Sequence, residues 1–167
     1  MTASLRVLRL LALATWVGGI AFFAFAVAPV AFKTMPDPHQ AGTIVRGTLL
    51  VLHRIGLGAG AVYLFFTLAL LAGQYDSHPA RAAEIVLVVS MLALTLYLQQ
   101  SVMPHMETDR LTLGGDVDAA PLSSPARLHF ERLHRTSEKL EGAVLLEGII
   151  LLCLAPVHAR DHIDRFA

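Results

Sequence analysis

From Leu10 to Phe32 the chain runs 23 residues without a single Asp, Glu, Lys, Arg or His, and it does so twice more, for 21 residues from Ile55 to Tyr75 and 20 from Ile85 to Pro104. A helix needs about 20 apolar residues to cross the hydrocarbon of a bilayer. In lipid only helices and closed barrels satisfy their own backbone hydrogen bonds. The alternation of a barrel strand is absent, so helices are expected. A fourth apolar run, Gly142 to Val157, is 16 residues long and contains Glu147. It predicts a fourth crossing. The fold class read from these runs is all-α: an integral membrane four-helix bundle, forming one domain over residues 1–167.

Composition agrees. With 55% hydrophobic and 16% charged residues, the chain has too little polar surface to cover a soluble core of this length. The formal net charge is zero, so no charge excess directs it to nucleic acid, and no nucleic-acid partner is expected. A lone cysteine, Cys153, excludes an internal disulfide framework. The first run exceeds the core of a secretory signal, roughly 7–15 residues, and reads as a retained helix. The expected location is an integral, multi-pass membrane position, the cytoplasmic membrane if the source is prokaryotic, with the lipid bilayer as first partner.

The pattern predicts helices over Leu5–Phe32, Gln40–Gln74, Ala80–Met103 and Pro125–Val157. Turns are expected at TMPDPH, at DSHP and from Leu113 to Ser124. Ser124 before Pro125 is a helix start signal. Helices two and four exceed a membrane's need and should project roughly 15–20 Å beyond it at their N-terminal ends. Two repeated helical hairpins are a possible organisation: Met35-Pro36 and Met103-Pro104 would each end a helix, Leu-His-Arg recurs at 52–54 and 133–135, and Gly-Ala-Val follows each. Lys and Arg flank both ends of the helices and leave orientation open. Trp16 is expected at an interface. Gly56 and Gly60, four residues apart, would permit close approach of another helix, and so a homo-oligomer.

One end of this bundle would gather polar side chains from three helices: His53 and Arg54 on the second, Gln99, Gln100 and His105 on the third, His134, Glu138 and Glu141 on the fourth. As plain interfacial residues they would only solvate projecting helices. As a site, His53, His105 and His134 with nearby carboxylates could ligate a transition metal, and Met103 and Met106 would add soft sulfur. Arg54 would hold the carboxylates. Glu147, about 9 Å deeper than Glu141, is a costly group in hydrocarbon and so a candidate for function, or else a clamp between helices. Tyr63, Tyr97, Gln99 and Gln100 are at depths where they could bond it.

TWVGGIAFFAFAVAPVAF, VLHRIGLGAG, VMPHM and FERLHRTSEKLEGAVLL together resemble the transmembrane-protein-205-like family of four-helix membrane proteins, from about Leu10 to Leu154. Trp16-Val17-Gly18-Gly19 is also distantly similar to copper-resistance D-type membrane proteins, without the histidine they place shortly upstream. The resemblance implies a four-helix membrane fold and no established activity; the association of animal members with platinum-drug resistance implies handling of soft metals or small solutes. The leading expectation is a small membrane protein that binds or transports a small solute or soft metal through the His/Glu/Arg cluster. The alternatives are a redox subunit with b-type haem between His53 and His134, and a non-catalytic assembly protein. No nucleophile–base pair or phosphate loop favours an enzyme.

Overall fold

The computed structural model describes residues 2–72 and 80–163, and these form four long helices. We label them α1 (residues 2–34), α2 (Pro38–Ala72), α3 (residues 80–112) and α4 (Pro125–Ile163). The expected turn DSHP and the expected end of helix two at Gln74 lie outside the described residues. In cross-section α1 packs beside α2 and α4, and α3 beside the same two, so the helices close a ring. The core at their centre is made by Leu13, Trp16, Val17 and Ile20 of α1, Leu49, Leu52 and Tyr63 of α2, Val88, Met91 and Met103 of α3, and Val144 and Leu151 of α4.

Three of the helices, over residues 3–34, 38–72 and 81–112, are long and apolar enough to cross a membrane. Among the described residues α4 is not one of them: its apolar run is shorter, is preceded by Glu138, Lys139 and Glu141, and contains Glu147. Phe22, Phe25 and Phe32 of α1, Phe65 of α2, Val86 and Leu96 of α3 and Leu146 and Ile149 of α4 are exposed. A polar solvent would be a poor match for that surface, and lipid a good one.

The helix ends follow local rules. Met35 is extended (φ −78°, ψ 132°), as a residue before proline prefers. Asp37 Oδ1 accepts the amide of His39 at 2.9 Å, capping α2 with Pro38 in its first turn. After Thr112 the chain reverses through Gly114 (φ 74°) and Gly115 (φ 97°). The Gly115 amide donates to the Arg110 carbonyl at 2.9 Å. Only glycine adopts that conformation without strain.

Met103-Pro104 does not end helix three, as the sequence suggests. α3 continues through Met103–Thr112. The proline is accommodated by a π-helical turn, Leu98–Val102, closed by the Met103 amide on the Leu98 carbonyl. A proline at position i clashes with the carbonyl of residue i−4. For Pro104 that residue is Gln100, at the centre of the π-turn. α1 repeats the device: Phe23–Val27 is a π-turn closed by Ala28 N–H on Phe23, and Phe25 at its centre is four residues before Pro29. Thus Ala28-Pro29, rather than Met35-Pro36, is the counterpart of Met103-Pro104.

Trp16 is another departure. It is 1% exposed, not interfacial. The indole lies on the glycine face of α2: a Cβ at Gly56 would overlap it, and one at Gly60 would overlap both the indole and Leu92. The close approach that Gly56 and Gly60 permit is therefore filled within the chain, not by a second copy. The glycines leave space that a large side chain of α1 enters.

Candidate functional site

Gly56 abuts Trp16 and Gly148 abuts Val17, so these two glycines of α2 and α4 share a level about a third of the way along the charge-free run of α1. His53 is one turn from Gly56, and Leu52 presses on Gly19. His53 therefore lies inside the bundle, not at its mouth. Its side chain is buried, at 2% exposure, and its Nε2 meets Glu141 Oε1 of α4. The imidazole's other nitrogen, Nδ1, is buried without a hydrogen-bond partner among the described residues. An imidazole nitrogen in that state can donate or accept one further hydrogen bond, according to the tautomer.

Arg54, next in sequence, is exposed. Consecutive helical residues point roughly 100° apart, so the histidine turns inward and the arginine outward. No ion pair joins Arg54 to Glu141 or Glu147 among the described residues.

His134 lies elsewhere. It is 53% exposed, pairs with Glu138 on its own helix at 3.3 Å and stacks on Phe130. Counted from the shared glycine level, it is roughly 16 Å further along the bundle than His53. The two Leu-His-Arg segments do not face each other, and the two Gly-Ala-Val segments differ in height for the same reason. His105 is exposed, its Nδ1 donating to the Ser101 carbonyl at 2.7 Å. Met103 is core. Among the described residues no three His, Cys, Asp or Glu side chains are placed to hold a metal ion. The three-histidine metal centre and the His53–His134 haem clamp are thus not formed; helical periodicity turns each histidine to a different face.

Gln100 is exposed, while Gln99 is half-buried with its Oε1 shielded and unpartnered among the described residues. Glu147 accepts a hydrogen bond from Ser90 Oγ of α3 at 2.9 Å, not from Tyr63, Tyr97 or the glutamines. Cys153 is free and exposed on α4.

A second polar group was not anticipated from the sequence. Glu84, fully buried, receives three donors on one oxygen, Oε2: Arg9 Nη1 at 3.0 Å, Arg81 Nη1 at 2.7 Å and Tyr63 Oη at 3.1 Å. Arg9 also reaches Thr67 Oγ1 at 3.4 Å and lies 5.2 Å over the Tyr63 ring. This ties α1, α2 and α3 together at the end opposite the long loop. Breaking one partner of such a buried pair costs on the order of 3–5 kcal/mol. Its signal was available: Arg9, Arg81 and Glu84 sit directly before charge-free runs on parallel helices, with Arg81 and Glu84 three apart. Trp16 stands between this group and His53. At the other end the Glu107 carboxylate accepts from Arg46 Nε at 3.0 Å and from Arg110 through two nitrogens at 2.9 and 2.7 Å, and His129 pairs with Asp109 at 2.7 Å.

A domain of unknown function, DUF4149, matches residues 11–110. The chain belongs to this family. The match takes in most of α1, all of α2 and nearly all of α3, including His53, Glu84 and Ser90, and stops before α4 with Glu141 and Glu147. No curated protein and no solved structure matches the chain. With no named relative, neither the transmembrane-protein-205-like nor the copper-resistance resemblance is established.

Proposed function

We propose that the chain is a multi-pass integral membrane protein, α4 crossing with the other three helices, that binds and moves a small polar solute at the His53–Glu141 pair. One observation carries this reading: a buried imidazole in mid-bundle, with one nitrogen on a carboxylate and the other unpartnered. Ionisable groups at membrane depth are costly and tend to mark solute or proton pathways. A purely structural histidine would have both nitrogens satisfied, because an orphaned buried polar atom costs about 1–3 kcal/mol. Glu141 supplies negative charge beside the ring, which favours solutes bearing N–H or ammonium groups. Soft metals are the weaker class, since neither His105 nor His134 stands beside His53 to complete a ligand set.

The test is a stability screen on detergent-purified protein. Thermal unfolding is recorded with a panel of small amines and amino acids, and with Zn2+ and Cu+. At least one compound is expected to raise the Tm of the native chain and to lose that effect in a folded His53→Asn variant. A flat panel, or stabilisation that survives the substitution, would defeat the proposal.

A further inference from the structure

α4 carries a second carboxylate that the His53–Glu141 pair does not use. Glu147 lies roughly 9 Å along the helix from Glu141 and about a third of a turn around it, which turns it toward α3 rather than α2. Its Oε1 accepts from Ser90 Oγ at 2.9 Å. Its Oε2 is shielded and has no hydrogen-bond partner among the described residues.

The surroundings are apolar. Leu146 and Ile150 beside it on α4, and Val86 and Val89 beside Ser90 on α3, are exposed, so the seam opens onto the surface that suits lipid. The helices packed against α4 here are α1 and α3. α1 has no Asp, Glu, Lys, Arg, His, Tyr or Cys from Leu10 to Phe32, and α3 has only Tyr97 from Ile85 to Pro104, itself exposed. The other titratable groups nearby are His53 and Glu141, engaged with each other, and Cys153, exposed on α4. No cation of the chain meets Glu147 among the described residues.

We propose that Glu147 is a proton-binding carboxyl at the lipid boundary, held in the α3–α4 seam by Ser90. A bare carboxylate with one neutral donor is expensive in hydrocarbon. A proton on Oε2 removes the charge and needs no further ligand, whereas a metal ion would need several oxygen or nitrogen donors that the seam does not offer. A clamp between helices would explain Ser90 but not the shielded second oxygen. The inference rests on the membrane placement of α4 in the proposed function, and not on the solute pair. If that pair also stands, Glu147 gives solute movement a proton to exchange on the same helix.

The test uses the full chain in phosphatidylcholine liposomes. Dicyclohexylcarbodiimide partitions into hydrocarbon and adds to a protonated carboxyl: the carboxyl oxygen bonds the central carbon, its proton passes to nitrogen, and rearrangement leaves a stable N-acylurea with no leaving group. Peptide mass spectrometry is expected to find one carbodiimide on Glu147 and none in Glu147→Gln. A water-soluble carbodiimide with glycine ethyl ester should instead mark Glu138, which is 64% exposed, and spare Glu147. His53→Asn should keep the Glu147 label even where it abolishes stabilisation by solutes, so the two readings fail separately. No label at Glu147 from the hydrophobic reagent, or labelling by the water-soluble one as fast as at Glu138, would overturn the inference.

Discussion

At the scale of single residues, neighbours in the sequence have opposite fates. His53 is inside and Arg54 outside; Glu138 faces solvent and Glu141 meets the imidazole. The chemistry of these side chains was legible, but which of them face one another depends on how each helix is rotated in the bundle. The glycines of α2 make the point sharply. Gly56 lies against the Trp16 indole, whereas a Cβ at Gly58 would meet nothing within 4 Å. Gly56→Ala should therefore destabilise the protein by roughly 1–3 kcal/mol through overpacking. Gly58→Ala should be neutral or stabilising by up to about 1 kcal/mol, since alanine is the better helix former. Unfolding of both variants in detergent checks this. Equal effects would mean that the indole is not seated on Gly56.

At the scale of elements, the helices themselves were readable because charge-free runs of about 20 residues have so few alternatives in lipid. The boundary set by Ser124-Pro125 was also readable, whereas α2 starts at Pro38 under its Asp37 cap, two residues before the expected Gln40. Proline was where local reading erred. Pro104 looks like a helix end, yet α3 absorbs it in the π-turn Leu98–Val102 and carries on to place Glu107 against Arg46 and Arg110. Pro104→Ala removes the clash that the wider turn relieves. The turn should then close into regular α-helix, a one-residue change of register that rotates Met103–Thr112 by roughly 100°. Glu107 would swing away from Arg46. In a Cys153→Ser background, cysteines placed at positions 46 and 107 should be joined by a short bismaleimide when Pro104 is present, and fall to background yield with Pro104→Ala. Undiminished cross-linking in that variant would show that proline does not hold the turn.

At the scale of the whole molecule, depth in the bilayer is the property to test. α4 has charges along its first half and Glu147 within its apolar run, so the crossing proposed for it rests on its place in the ring, not on its own hydropathy. Cys153, the chain's one cysteine, reports on it because it lies exposed on α4. In sealed liposomes a water-soluble maleimide should leave Cys153 unmodified, and after solubilisation in a denaturing detergent it should react to completion. Equal modification in both conditions would put this face of α4 in water. Composition and the spacing of charges by themselves determined the all-helical class and the helix count, because the exclusion of charge from hydrocarbon is a one-dimensional constraint that a sequence displays directly. The relative heights of the helices are a different kind of fact. They placed His53 at mid-bundle beside Glu141, set His134 far along α4 from it, gathered Arg9, Arg81 and Tyr63 around Glu84, and seated Trp16 on two glycines. Each of these depends on how four helices rotate and slide against one another, which shape complementarity and buried ion pairs decide only once the bundle is assembled.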